Sequence, residues 1–210
     1  MKFNPEILID RIEYTNKLKS WLNHSDIVKI ITGVRRCGKS KLFVLFQNEL
    51  LKTGIADKKQ ILNINLDNII QTREIGLTYN GNNFFTNYEK LLDYVTSRLL
   101  PDEMNYIFID EIQLLENWFL VANALRLISN VDLYLTGSNA YMFSKDLANS
   151  FGGRYVEIKM HPFSFKEYYN AYMYLNNDKL NLQEIYYKYI TESGFPQKIG
   201  RAHVWTPVTS

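Results

Sequence analysis

Gly33-Val34-Arg35-Arg36-Cys37-Gly38-Lys39-Ser40 sets two glycines, a lysine and a hydroxyl in the spacing G-x-x-x-x-G-K-[ST]. These residue types at this spacing suit the holding of a phosphate chain. Glycines at 33 and 38 permit backbone angles that turn successive N–H groups into a concave anion site. A helix beginning here adds its positive N-terminal end. Lys39 brings a flexible cation to the β and γ phosphates, and the Ser40 hydroxyl is a ligand for Mg²⁺. We read Gly33, Val34, Arg35, Arg36, Cys37, Gly38, Lys39, Ser40 and Lys41 together as the nucleotide-binding segment. Arg35 and Arg36 have two readings, contact with phosphates or solvated loop residues facing a partner. Cys37 has no base beside it in sequence and reads as a small loop residue rather than a nucleophile.

About 70 residues further on, Tyr106-Ile107-Phe108-Ile109 is an apolar run ending in two carboxylates, Asp110 and Glu111. Alone this is a weak pattern. Behind a phosphate loop it divides into two roles: Asp110 holds the metal through its water shell, and Glu111 acts as general base on an attacking water. Gln113 and Glu116 follow and read as solvated loop residues. A second apolar run, Leu133-Tyr134-Leu135-Thr136, ends in Gly137-Ser138-Asn139. Ser138 or Asn139 could hydrogen-bond the water or the γ-phosphate; both are also common helix N-caps. Gly152-Gly153-Arg154 precedes a last apolar run. An arginine near the γ-phosphate stabilises charge in the transition state by ~10³- to 10⁵-fold in rate, and the plainer reading is an arginine in a surface turn.

These side chains need rigid supports. Residues 27–32 form a short β-branched run ending in glycine, hence a buried strand. Residues 40–53 read as a helix ending near Gly54. Alternation marks residues 60–67 as a strand, and residues 68–83, polar with Gly76 and Gly81, read as a mobile insertion. Residues 84–100 read as helix, 106–110 as a strand buried on both faces, 118–129 as helix, 132–136 and 155–160 as strands, and 165–175 and 182–192 as helices. Residues 7–23 read as an N-terminal helix. Strands alternating with helices predict a parallel sheet covered on both faces. Ligands bind such sheets at the strand carboxyl ends, where Lys39, Asp110, Glu111 and Asn139 are expected.

The chain has 210 residues, 46% of them hydrophobic and 22% charged, ordinary values for a globular domain large enough to hold its own core. A net charge of +2 gives no argument for nucleic acid, although a local basic face stays open. One cysteine allows no internal disulfide and fits a reducing compartment, and no apolar run reaches the ~20 residues that span a bilayer. A cytoplasmic location and no membrane partner are expected.

The stretches ITGVRRCGKS, YIFIDEIQ, LTGSNA, GGRYVEIKMHPFSF and ESGFP, in this order over residues 1–197, resemble the AAA-type P-loop ATPases of bacteria and archaea that join an ATPase core to a C-terminal domain of unknown function. The resemblance implies an α/β three-layer sandwich of the P-loop NTPase class with a parallel five-stranded sheet in the order 5-1-4-3-2. Glu111 marks the catalytic-glutamate branch. The implied cofactors are ATP and Mg²⁺, with Asn139 or Ser138 at the polar sensor position and Arg154 as a further catalytic residue in its own subunit or a neighbour's. Tyr14 or Arg11 would pack near the adenine. The implied domains are an N-terminal helix (1–26), the ATPase core (27–160) and a helical extension (161–197) leading to a missing domain. Residues 198–210 match neither strand nor helix periodicity and resemble the translated read of a sequencing adapter, with Trp205 at a standard stop; they are expected to be no part of the natural protein.

The expected activity is hydrolysis of ATP coupled to a conformational change. Alternatives are a nucleotide-operated switch with slow turnover, a small-molecule kinase, for which a second arginine-rich pocket is lacking in the sequence, and a nucleic-acid-associated regulator. Beyond ATP, a homo-oligomer or a protein client is the expected kind of partner.

Overall fold

The computed structural model describes residues 8–81, 84–138, 151–176, 180–192 and 194–196. The chain divides into two compact units, residues 1–34 with 39–160, and residues 35–38 with 161–210.

In the first unit, strands β1 (Val28–Thr32), β2 (Ile61–Asn65), β5 (Asn105–Asp110), β6 (Val131–Gly137) and β7 (Tyr155–Lys159) form one sheet in the order β2-β5-β6-β1-β7. All pairings are parallel. Counted in chain order among the sheet strands, this is 5-1-4-3-2, the order that the family resemblance implies. The strands β1, β5 and β6 are buried along their whole length. That is the pattern of a sheet covered on both faces, and it explains why these strands read as continuous apolar runs.

Helix α2 (Lys39–Lys52) covers one face. Its Phe43 meets Phe108 edge-on at 5.1 Å, its Phe46 meets Tyr134 at 5.4 Å, and Phe108 stacks on Tyr134 at 4.7 Å. Each such side chain contributes about 1.5–3 kcal/mol by leaving water. This aromatic cluster fixes α2, and therefore Lys39 at its start, against the two strands that carry the carboxylates and the hydroxyls. On the other face, Leu91 and Val95 of α4 (Tyr88–Thr96) and Trp118, Val121 and Leu125 of α5 (Trp118–Arg126) join Ile107, Ile109, Leu133 and Leu135 in one core.

Several boundaries differ from the sequence reading. The N-terminal helix α1 is shorter, Ile12–Lys19. Residues 68–83 contain more than a polar loop. Asn68 caps α3 (Ile69–Ile75) by accepting from the N–H of Ile70 at 3.0 Å, and Gly76 ends it in the left-handed region. The two-residue strands β3 (Thr78–Tyr79) and β4 (Phe85–Thr86) then pair antiparallel. Phe85 and Thr86 thus belong to a strand, so the helix expected from residue 84 begins only at Tyr88. The number of asparagines conceals the cap-and-glycine signature at residues 68 and 76.

The starts of β1 and β6 hold a fully buried ion pair between Lys29 and Asp132. Asp132 also accepts from the Asn23 N–H and the Tyr134 hydroxyl, each at 2.8 Å. Lys29 donates to the His24 carbonyl at 2.6 Å, which ties the turn after α1 to the sheet. Burial holds the Lys29 ammonium below the usual lysine range, against the pull of Asp132.

In the second unit, α6 (Phe165–Leu175) starts with a reciprocal cap between Ser164 and Glu167, and α7 (Leu182–Glu192) with one between Asn181 and Glu184. Tyr168 and Tyr189 pack edge-on between the two helices at 5.3 Å. Gly194 lies against the 163–164 segment: its carbonyl accepts from the Phe163 N–H at 2.7 Å, and a Cβ there would stand 2.4 Å from the Phe163 carbonyl oxygen. Only glycine fits that approach, which accounts for the glycine of ESGFP.

Candidate nucleotide site

The carboxyl ends of β1, β5 and β6 lie side by side, since β6 pairs with both of the others. Each delivers one part of a polar cluster.

From β1 the chain turns at Gly33 into the phosphate loop and enters α2 at Lys39. Gly38 has φ of 108°, a conformation that a side chain would strain. The Lys39 ammonium is buried, and it donates to the carbonyls of Gly33 at 3.1 Å and Val34 at 3.4 Å. It also stands 3.9 Å from Glu111 Oε1. Val34, Arg35, Arg36, Ser40 and Lys41 are exposed, and Cys37 is buried. Residues 35–38 group with the second unit, so the geometry that follows is that of the first.

From β5 come the two carboxylates. Asp110 is buried and accepts a hydrogen bond from the Thr136 side chain. Burial pushes its carboxyl above the usual aspartate range; the Ser40 and Thr136 side chains and Lys39 oppose the shift, and the Glu111 charge adds to it. Glu111 ends the strand in the left-handed region, at φ 55° and ψ 45°. A non-glycine residue held there marks a strained turn of the kind found at functional sites.

From β6 come Thr136 and Ser138. The Thr136 hydroxyl donates to Asp110 Oδ1 and accepts from the Glu111 N–H at 3.0 Å, so one side chain links both acids. The Ser138 hydroxyl donates to Glu111 Oε2 at 3.0 Å. The Gln113 amide donates to the same Oε2, and to Ser138 Oγ at 3.2 Å.

The structure therefore brings Lys39, Ser40, Asp110 and Glu111 together with two residues the sequence reading did not place there. Thr136 was passed over as the last residue of an apolar strand; its hydroxyl at a fully buried position was the available signal. Gln113 is not a solvated loop residue. The 3₁₀ turn Ile112–Leu114 folds it back on Glu111, and buried Ile112 and Leu115 pin that turn. Glu116 is exposed, as expected. Asn139 lies outside the described residues, as do residues 198–210.

Arg154 is not brought to this cluster. It precedes β7, whose first residue Tyr155 is in register with Val28, the first residue of β1, and its carbonyl accepts from the Val28 N–H at 3.1 Å. Lys39 follows the other end of β1, four strand residues or ~13 Å further along the sheet. The expectation for Arg154 left its own subunit or a neighbour's open, and this register sets it at the end of β1 away from Lys39. Tyr14 and Arg11 are buried, with the guanidinium 4.6 Å above the Tyr14 ring.

Comparison with known proteins bears on the family and the fold. The model of the AAA domain family matches residues 25–169. An uncharacterized protein of Haemophilus influenzae is 34% identical over 194 residues, which cover 91% of this chain and 45% of that protein. The uncharacterized protein MJ1544 of Methanocaldococcus jannaschii is 26% identical over 209 residues, 91% of this chain and 42% of that protein. The chain thus spans less than half the length of these curated relatives. Among solved structures, the Walker-type ATPase PABY2304 of Pyrococcus abyssi superposes with a TM-score of 0.58 at 20% identity, over 92% of this chain and 66% of that one. AMPPCP-bound DnaA from Aquifex aeolicus gives 0.56 at 15% identity, over 95% and 63%. At such identities the two structures attest the fold alone. The family match over most of the chain shows that this chain belongs to the AAA-domain family of P-loop ATPases, domains that bind and hydrolyse nucleotides.

Proposed function

We propose that this chain binds ATP with Mg²⁺ and hydrolyses it, coupling the cycle to a conformational change. The observation that carries the proposal is the meeting of the Lys39 ammonium with Glu111 Oε1 at 3.9 Å, beside the Asp110 carboxylate bonded by Thr136.

The residues fit both groups. Lys39 is held by neutral carbonyls of its own loop, and phosphate oxygens would replace them as charged, stronger acceptors. Asp110 and Ser40 offer the hard oxygens that Mg²⁺ prefers, and Mg²⁺ usually takes one or two protein ligands and completes its shell with water and phosphate. Among the described residues no group of three or more His, Cys, Asp or Glu gathers into a metal cage, which favours a metal that arrives with the nucleotide. The AMPPCP on DnaA, a protein of similar fold, supports an adenine nucleotide.

Bound Mg²⁺ and triphosphate supply the electrophilic phosphorus and spread its charge. In this reading the Asp110 carboxylate would hold the metal through water. Glu111 accepts the proton of the attacking water through Oε1. Lys39 offsets charge on the β and γ oxygens. Thr136 ties the position of the metal carboxylate to the backbone of the base, so a shift at one is felt at the other, and this link is the route we assign to conformational coupling. Residues 27–160 are taken as the ATPase core, 1–26 as a helix packing on it and 161–197 as a helical extension. Arg154, exposed at the far end of the sheet, is left with a role only toward a neighbouring copy.

The test is phosphate release by the wild type, Lys39→Ala and Glu111→Gln, each with Mg²⁺ and with a chelator. Wild type should turn over only with metal, Glu111→Gln should bind ATP with only a small residual turnover, and Lys39→Ala should lose binding. Wild type that binds ATP but turns over no faster than Glu111→Gln would overturn the hydrolytic reading in favour of a nucleotide-operated switch.

A further inference from the structure

The two oxygens of Glu111 have different surroundings. Oε2 receives two protein donors, the Gln113 amide and the Ser138 hydroxyl. Oε1 has no hydrogen bond among the described residues and faces the Lys39 ammonium. A carboxylate on a flexible side chain would exchange its oxygens by rotation. Two donors on one of them hold the group in a single orientation.

The cost of this arrangement falls on Gln113. Its Nε2 is committed to Glu111 and Ser138, and its own Oε1 is buried without a hydrogen-bond partner among the described residues. An unpaired buried acceptor costs about 1–3 kcal/mol. Turning the amide over would not relieve it, because the carbonyl would then oppose the Glu111 carboxylate. The backbone adds to the cost, since Glu111 occupies the left-handed region and the chain turns at once into the 3₁₀ segment that returns Gln113 to its neighbour two residues before. Stability alone would favour an apolar residue here. Buried polar groups that remain unsatisfied, next to backbone strain, are characteristic of sites kept for function.

We propose that Gln113 is a positioning residue for the hydrolysis reaction: together with Ser138 it binds Oε2 of Glu111 and leaves Oε1 turned toward the phosphate pocket as the proton acceptor. The inference rests on the ATPase reading above. Gln113 touches neither nucleotide nor water in this role and acts through Glu111. Ser138 supplies the second donor from β6, so the orientation of the base depends on strands β5 and β6 keeping their register.

Gln113→Met keeps the volume and removes the donors, and it also removes the orphaned carbonyl, so the variant should melt no lower than the wild type. Its kcat for ATP should fall about 10- to 100-fold, the range lost when a reacting group is misplaced by ~1 Å or loses the partner that orients it. KM should stay within about twofold, because the phosphate contacts of Lys39 are unchanged. Ser138→Ala should lose less, and Ser138→Thr, which retains the hydroxyl, should recover most of that loss. The decisive comparison is a cycle with Glu111→Gln. In that background Gln113→Met should cause no further loss, because residues acting through one group are not additive. Wild type that turns over while Gln113→Met keeps its kcat within twofold overturns the positioning role and leaves the ATPase reading standing. An equal loss in both backgrounds overturns it too, and marks Gln113 as structural. Wild type that shows no metal-dependent turnover overturns both.

Discussion

Replacing Thr136 by Val tests the link between the metal carboxylate and the catalytic base. Valine has the shape of threonine, so the core around β6 stays filled, and only the hydroxyl is lost. That hydroxyl is fully buried and makes two bonds, one to Asp110 Oδ1 and one from the Glu111 N–H. A hydrogen bond to a charged group contributes about 1.5–3 kcal/mol, and a buried N–H left unpaired costs about 1–3 kcal/mol. The losses share one residue and are not additive, which gives roughly 2–5 kcal/mol. For a chain of this length each kcal/mol lowers the melting temperature by about 2–4 °C, so the expected fall is roughly 4–20 °C. Thr136→Ser keeps the hydroxyl and should stay within about 1 kcal/mol. The same bond holds the Asp110 carboxyl down against its burial. Without it the carboxyl rises further, and on acidification the Mg²⁺ requirement of ATP turnover should increase at a higher pH than in the wild type. Denaturant unfolding of the three proteins, with Mg²⁺ titrations of turnover over a pH series, reads both effects. Thr136→Val within 0.5 kcal/mol of wild type, at about the precision of such measurements, with an unchanged Mg²⁺ profile would refute the linkage.

Three further outcomes follow from the geometry. Asp110→Asn removes a buried charge whose carboxyl is raised above the ordinary value of 3.8 by burial; the folded wild type therefore binds its proton more tightly than the unfolded chain, and its stability falls as pH rises through that window. The variant should accordingly melt higher than wild type at neutral pH without metal, the gain should shrink toward pH 4, and metal-dependent turnover should vanish. Asp132→Ala leaves the Lys29 ammonium buried without its partner and should cost about 3–5 kcal/mol in urea unfolding at neutral pH. Since Lys29 already lies below its usual range, the folded chain sheds that proton before the unfolded one does, stability rises with pH, and the cost should be smaller at pH 9 than at pH 6. Arg154→Ala should leave the turnover of the isolated chain within about twofold, measured at dilution; a loss as large as ~10³-fold there would mean that Arg154 reaches the phosphates of its own chain, against the register of β7.

The sequence alone was sufficient for those parts of the site that depend on short-range chemistry. A phosphate loop of this type sets two glycines, a lysine and a hydroxyl within eight residues, so Gly33 through Ser40 can be read directly. Continuous apolar runs ending in carboxylates or in small polar residues announce buried parallel strands, because a sheet covered on both faces has no polar side. The helices α6 and α7 were legible at their observed bounds, since Ser164 with Glu167 and Asn181 with Glu184 mark their starts. What the sequence could not decide is what faces what across strands. Thr136 meets Asp110 only because β5 and β6 pair in one register and not one residue away. Gln113 meets Glu111 only because the backbone at Glu111 takes a left-handed turn that its residue type does not favour. Arg154, which the family resemblance assigns to the site of its own subunit or a neighbour's, stands at the far end of the sheet by the parallel alignment of β7 with β1. Local chemistry writes the identity of catalytic groups into adjacent residues, whereas their mutual orientation is a property of strand register and turn geometry, set by packing over the whole domain.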